Sequence, residues 1–389
     1  MDDSTPDPFG GIPMFGDLAR MLSQQAGAGW DAARQLAISV ATDNGAETNV
    51  DPLERMAFEP LARVAELHIV NATGLDVTAT GLTIVPVTRG EWAARTLEAW
   101  RPLLDALTGS LTGTEAAEPD PADPMGFLAP LMRMVAPMML GMTAGSMVGH
   151  LARRAFGQYD LPIPRTASDE LMVVPANIAE FASDWSLPID DLRMWVCLQE
   201  VATHAVLRVP HVRTRLDAFM TQYAAGFEPD SGDFMSRFEA VDPTSAEGGF
   251  EAMFSDPELM LGAMRSDAQR ALLPAYEALV ATIVGYVDHL MDTVSVGLLT
   301  RYSMIAEAIR RRRVETDASD RFVERLFGLE LTQATVDRGE AFVRGVLERS
   351  DEATLSRVWE SDETLPTPAE LDAPGLWLAR LEFTSPAAG

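Results

Sequence analysis

The sequence contains no lysine, and the 30 residues counted as lysine or arginine are all arginine. This absence excludes catalysis through a lysine Schiff base and any modification of lysine side chains. The chain also has a single cysteine, Cys197, which excludes an internal disulfide and a metal cluster held by several thiolates. Cys197 lies in the apolar run MWVCL, where a buried and unreactive thiol is expected.

Basic charge is scarce overall, since 58 acidic residues stand against 30 basic ones and the formal net charge is −28. A surface of this sign repels phosphate backbones and anionic lipid headgroups, so neither nucleic acid nor a membrane is an expected partner. The N-terminal stretch MDDSTPDPFGGIP has neither the basic nor the apolar segment of a secretory signal. We therefore expect a cytoplasmic protein.

Several catalytic signatures are missing as well. The chain has no glycine-rich phosphate loop, no G-x-S-x-G elbow and no cysteine–histidine pair at a recognised spacing. The arginine run 310–313 could suggest phosphate binding, but Glu307 and Glu315 flank it. The run is therefore predicted to be a salt-bridged helix end.

Apolar residues recur at spacings of three and four along most of the chain, which predicts a mainly α fold with a few short strands. The later part of this pattern predicts helices at 189–208, 271–313, 317–328, 331–350 and 352–360. The β-branched run LTIVPVTR and the run LMVV favour short strands. We expect one folded domain over 13–380, between a flexible tail at 1–12 and a C-terminal tail at 381–389. Two acidic segments rich in proline and glycine, 109–125 and 227–258, are predicted loops of this domain.

The stretch 134–149, MVAPMMLGMTAGSMVG, carries no charge, and its glycines at 141, 145 and 149 repeat every fourth residue. A membrane span needs about 20 apolar residues, and this stretch is shorter than that. Small residues at this spacing are typical of helices that pack closely. We expect a buried helix whose glycine face touches a neighbouring backbone.

The run LQEVATHAVL, residues 198–207, matches the zinc-binding pattern H-E-x-x-H only in part. Its glutamate is present as Glu200, but Gln199 and Thr203 stand where the two histidines would be. A histidine follows one place late, at His204. The residues before Gln199 are apolar on all sides, so these polar side chains are expected on a buried helix, where each needs a partner.

Other phrases add to this motif: VDPLERMAFEPLARVAELHI, TIVPVTRGEW, FGQYDLPIPR and VWESDETLPTPAEL. With the motif helix, they make the chain resemble a family of zincin-like metallopeptidases and hydrolases of actinobacteria and related bacteria. The resemblance covers nearly the whole chain and implies a zincin-like, multi-helix single domain. Members with an intact site carry H-E-x-x-H and a third zinc ligand in a later phrase such as L-L-E-G-H-A-D.

That later phrase aligns with TIVGYVD, residues 282–288. Val284 then stands at the ligand glutamate and Tyr286 at the histidine. The resemblance therefore implies a degenerate branch of the family, with Glu200 as a vestigial general base and no cofactor. Gln199, Thr203, Val284 and Tyr286 are expected to line the vestigial site.

Three functions follow from this alignment. The first is a non-catalytic homologue that binds a protein or peptide in the old cleft. The second is an active zinc hydrolase with a shifted ligand set, in which Glu200 and His204, one helical turn apart, bind zinc with a third group such as His211 or His289. The third is a structural subunit whose cleft has filled with side chains. An open groove beside 199–204 would favour binding over filling.

Overall fold

The computed structural model describes residues 29–78, 81–112, 128–166, 168–227, 266–314, 318–329 and 331–384. The predicted tail at 1–12, residues 113–125 of the first acidic loop and residues 228–258 of the second lie outside these ranges. The described part is mainly helical, as the apolar spacing predicted. It contains one pair of short parallel strands.

The first helices are α1 (29–41), α2 (Pro52–Thr73), α3 (Arg89–Thr112), α4 (Leu128–Ala152), α5 (Pro175–Asp184), α6 (Ile189–Arg208) and α7 (Pro210–Ala225). The later ones are α8 (Asp267–Leu298), α9 (Tyr302–Val314), α10 (Ala318–Phe327), α11 (Gln333–Leu347), α12 (Glu352–Ser356), α13 (Pro368–Asp372) and α14 (Pro374–Thr384). Strands β1 (Thr83–Pro86) and β2 (Glu170–Val173) pair in parallel, and the connection between them contains α3 and α4.

Helix α6 lies at the centre of the fold. It is buried on nearly all sides from Leu192 to Leu207 and packs against α2, α5, α7 and α8. A helix that is apolar all round is stable only inside a core, and this explains its position. Proline at position 210 begins α7 and ends α6. The observed bounds agree with the predicted helix 189–208.

Helices α8 and α11 cross at a contact between two glycines. A Cβ atom added to Gly285 would lie 2.3 Å from the carbonyl carbon of Gly339, and one added to Gly339 would lie 2.1 Å from the carbonyl oxygen of Ala281. Any side chain at either position would push the two helices apart. By length and composition alone, α8 is the one helix of the described ranges that could cross a membrane, but more than half of its most apolar stretch is buried inside the fold.

Helix α4 contains the glycine repeat noted in the sequence. A Cβ atom on Gly145 would lie 2.3 Å from the carbonyl oxygen of Ala33, and one on Gly149 would lie 2.6 Å from the Cβ atom of Val40. The glycine face therefore touches the backbone of α1, as predicted. The helix is not buried along its whole length, since Met138 and Met142 are exposed.

Several predicted boundaries are wrong. Residues 109–112, predicted to begin the first acidic loop, are the last residues of α3. The predicted helix 352–360 is α-helical only as far as Ser356. The segment 271–313 forms two helices, because the backbone of Leu299 is extended and residues 299–301 separate α8 from α9. Leu299 is buried, so the apolar pattern continues across the break and hides it. Residues 381–384 belong to α14, with Leu381 in the core, so this part of the predicted C-terminal tail is folded.

Candidate functional site

A pocket of about 300 Å³ lies beside the middle of α6. Gln199 and Thr203 of α6 line one side of it, and Val284 of α8 lines it from the neighbouring helix. Residues four apart share a helix face, so Gln199 and Thr203 point the same way. The fold thus brings together the three residues that align with zinc-ligand positions of the resembling family.

These three side chains do not fit zinc. Structural and catalytic zinc sites use cysteine, histidine, aspartate or glutamate, and valine has no donor atom. The hydroxyl of Thr203 donates a hydrogen bond to the carbonyl oxygen of Gln199 at 2.9 Å. The described residues contain no group of three or more histidine, cysteine, aspartate or glutamate side chains placed to hold a metal ion.

Glu200 does not line the pocket. Its buried carboxylate accepts hydrogen bonds from the backbone N–H groups of Gln158 at 2.8 Å and Tyr159 at 3.0 Å. A Cβ atom on Gly157 would lie 2.3 Å from the carboxyl carbon of Glu200, so only glycine allows this approach. Glu200 therefore fixes the loop at 156–160 to α6.

Burial, with a smaller contribution from the nearby carboxylate of Asp160, raises the pKa of Glu200 to about 8. The N–H groups of Tyr159 and Gln158 and the charge of Arg165 act in the opposite direction without cancelling the effect of burial. A carboxyl group with this pKa is mostly protonated at neutral pH.

His204 is also committed to the loop at 156–160. Its Nδ1 atom lies 3.0 Å from the hydroxyl of Tyr159. Burial, with a smaller contribution from the charge of Arg208, lowers the pKa of His204 to about 4. Tyr159 thus contacts both groups, since its N–H bonds Glu200 and its hydroxyl pairs with His204. The fold joins Glu200 and His204 through a tyrosine.

The two histidines considered as a third ligand lie elsewhere. His289 bonds the carboxylate of Glu352 through Nε2 at 2.8 Å. His211 lies in the first turn of α7, and burial lowers its pKa. Neither forms a metal-binding group with Glu200 and His204 among the described residues.

Tyr286 lies apart from the pocket. Its ring packs edge-on against Trp359, with centroids 5.1 Å apart, and it is not among the side chains that line the pocket. Residues two apart on a helix do not share a face, so Val284 and Tyr286 point in nearly opposite directions. Val284 lines the pocket, whereas Tyr286 does not, contrary to the expectation from the sequence.

The phrase FGQYDLPIPR forms a rigid wall of the pocket. The indole N–H of Trp92 donates to the carbonyl oxygen of Gly157 at 2.8 Å. The carboxylate of Asp160 accepts from the backbone N–H groups of Phe156 at 3.0 Å and Gly157 at 3.2 Å. With the bonds to Glu200, these contacts hold the loop in one conformation.

The arginine run ends at the pocket, a position that sequence reasoning missed. Arg313 makes two hydrogen bonds of 2.6 Å to the carboxylate of Asp288. Arg312 bonds Asp160 at 2.6 Å and the carbonyl oxygen of Arg154 at 2.7 Å. The run is salt-bridged, in agreement with the prediction, but its last two members also line the pocket. The one signal in the sequence was Asp288, which stands in the aligned phrase TIVGYVD.

Comparison with known proteins agrees with this architecture. The sequence model of the zincin-like metallopeptidase family matches residues 29–378. The chain is also similar to a crystal structure described as "a putative hydrolase with a novel fold from Chloroflexus aurantiacus". The TM-score is 0.63 and the identity 26%, and the match covers 91% of this chain and 98% of that chain. No protein with a curated description matches. Because the family match extends over most of the chain, the protein belongs to the zincin-like metallopeptidase family.

Proposed function

We propose that this protein is a non-catalytic member of its family that binds a protein or peptide in the former zinc cleft. One observation carries the proposal. Gln199, Thr203 and Val284 meet in one pocket and offer no zinc ligand, while Glu200 is turned away and bound to the loop at 156–160. A pocket lined by these residues suits binding better than hydrolysis, and this supports the proposal.

The chemistry of the family explains why these residues argue against cleavage. A zinc peptidase uses the metal to lower the pKa of a bound water and to stabilise the oxyanion that forms on the substrate. Gln199, Thr203 and Val284 offer no set of side chains for that metal. The oxygens of Glu200 accept hydrogen bonds from backbone N–H groups and do not line the pocket, so its carboxyl group is not placed to act on a substrate there.

The open pocket favours a binding protein over a purely structural subunit. A volume of about 300 Å³ is at the lower end of the range for small-ligand sites, and it is enough for one side chain or a small molecule. The net charge of −28 makes nucleic acid and anionic membranes unsuitable partners. We propose a cytoplasmic location and a protein or peptide partner that inserts a small group into the pocket.

An active enzyme with a shifted ligand set is the second candidate. It would need the Glu200 carboxylate to leave two backbone N–H groups. Each buried group left without its partner costs about 1–3 kcal/mol. The contacts in the fold therefore favour the non-catalytic function.

Metal analysis and a peptidase assay test the proposal. Protein purified without chelator should contain no stoichiometric zinc by mass spectrometry of the metals. It should not cleave casein with or without added zinc, under conditions in which a known zinc peptidase does. Zinc-dependent cleavage that disappears in Glu200→Gln would refute the proposal and establish the second candidate.

A further inference from the structure

The charged side chains around the pocket balance one another. Three arginines and three carboxylates line it: Arg154, Arg312, Arg313, Asp160, Asp288 and Glu324. The pocket therefore has no excess charge of either sign. A site built for an anion or a cation would present an unmatched charge to it.

These charges are also used within the protein. Both Nη atoms of Arg313 bond Asp288 at 2.6 Å, which is the strong two-point form of an arginine–carboxylate pair. Arg312 bonds Asp160 at 2.6 Å, and Arg154 in turn bonds the carbonyl oxygen of Arg312 at 3.5 Å. A charged ligand would have to break one of these pairs or enter without a counter-charge, and both are costly when buried.

Two polar atoms of the residues that line the pocket have no hydrogen-bond partner among the described residues. The indole N–H of Trp100 and the Oε1 atom of Gln199 are buried, and neither has a hydrogen-bond partner. Trp100 is only 3% exposed, and both residues line the pocket. A buried polar atom without a partner destabilises the protein. Both atoms are covered by neighbouring side chains, so a ligand that displaces one of these side chains and supplies the partner is favoured. Trp100 needs an acceptor, and the carboxamide of Gln199 can both accept and donate.

The rest of the lining is largely apolar: Trp92, Leu151, Ile283, Val287, Leu331 and Val336. We infer that the pocket selects a small uncharged ligand with an apolar body and an amide-type head that both accepts and donates hydrogen bonds. This inference rests on the proposed function, in which the former cleft is a binding site, and it adds the chemical class of the ligand. An apolar residue flanked by two amides has this chemistry, whether it is free or part of a longer peptide.

Three small probes with the same apolar body test the charge selection: N-acetyl-phenylalanine amide, which is neutral; N-acetyl-phenylalanine, an anion; and phenylalanine amide, a cation. Titration calorimetry on the full-length protein should show that the neutral probe binds at least about 10-fold more tightly than either charged probe. The reason is that burying an unpaired charge raises the dissociation constant by more than about 10-fold. A neutral heptapeptide with an internal phenylalanine distinguishes a free small molecule from a residue within a longer peptide as the ligand. Binding of the single-residue probe alone indicates a free small molecule, and binding of both indicates a peptide.

Two variants test the polar contacts. Gln199→Leu removes the amide and keeps roughly the size of the side chain, and Trp100→Phe removes the indole N–H together with part of the ring. Each should weaken binding of the neutral probe about 10-fold. Gln222→Leu makes the same chemical change on the exposed side of α7 and should leave binding unchanged. Thermal melts without ligand confirm that each variant is folded.

Three results would overturn the inference: equal or tighter binding of a charged probe, no binding of the neutral probe, or unchanged binding in both Gln199→Leu and Trp100→Phe. A charged probe whose binding is lost in Gln199→Leu would leave the pocket as a binding site and refute only the ligand class. Zinc-dependent cleavage of casein would instead refute the proposed function itself.

Discussion

Replacing Glu200 with glutamine tests the structural assignment of that residue through the pH dependence of stability. Glu200 is buried, and burial raises its pKa from 4.5 to about 8. A carboxyl with a raised pKa binds its proton more tightly in the folded state than in the unfolded state. Its contribution to stability is therefore complete below pH 4.5 and is lost as the pH rises towards 8.

The size of this loss follows from the two pKa values. A difference of about 3.5 pKa units is equivalent to about 5 kcal/mol over the full titration, of which about 3 to 4 kcal/mol falls between pH 5 and pH 8. Glutamine does not titrate, and it resembles the protonated carboxyl in size and in having one donor and one acceptor side. The parent and Glu200→Gln should therefore be similar in stability at pH 5, and the variant should be the more stable one at pH 8.

Urea unfolding of both proteins from pH 5 to pH 8 measures this difference directly. Glu59→Gln, on the exposed side of α2, is the matched control and should follow the parent at every pH. A difference between parent and Glu200→Gln that stays constant with pH would show that Glu200 is not protonated in the folded protein. A difference that changes in the opposite sense would show that the N–H groups of Gln158 and Tyr159 outweigh burial.

Two further predictions concern the same helix. Gly157→Ala should cost about 1–3 kcal/mol in urea unfolding, because its Cβ atom would lie 2.3 Å from the carboxyl carbon of Glu200; an unchanged stability would mean that the loop does not rest on Glu200. Zinc should stabilise the triple variant Gln199→His, Thr203→His, Val284→Glu against thermal unfolding. The gain should be roughly 4 kcal/mol when zinc is in thousandfold excess over its dissociation constant from the variant. The parent protein should show no such gain. Equal responses of the two proteins would favour a metal site elsewhere, and no response of either would show that the three positions are not arranged for zinc.

Apolar spacing, proline positions and glycine spacing predicted the helix bounds and helix contacts that depend on neighbouring residues in the sequence. The apolar run, the acidic first turn and the proline at 210 fixed the bounds of α6, and the four-residue glycine spacing predicted the contact of Gly145 and Gly149 with α1. The break between α8 and α9 was not predictable in this way. Leu299 is apolar and buried like its neighbours, so only tertiary packing decides that the helix ends there.

In the candidate site, too, some features follow from spacing along a helix and others depend on contacts between distant segments. Gln199 and Thr203 are one helical turn apart, so their common face follows from spacing alone. Tyr286 could also have been assigned from spacing, because it is two residues from Val284 and cannot share its face. The contacts of Arg312 and Arg313 with Asp160 and Asp288 link distant segments, and no local pattern indicates them.

Glu200 shows why a surviving motif residue is weak support for a surviving activity. Its carboxylate holds the backbone of Gln158 and Tyr159, and Tyr159 in turn pairs with His204. Removing the carboxylate would leave two buried N–H groups without acceptors, at a cost of about 1–3 kcal/mol for each. This role needs neither zinc nor a substrate. The presence of Glu200 is therefore explained by the stability of the loop that forms the pocket wall, whichever side chains stand at positions 199, 203 and 284.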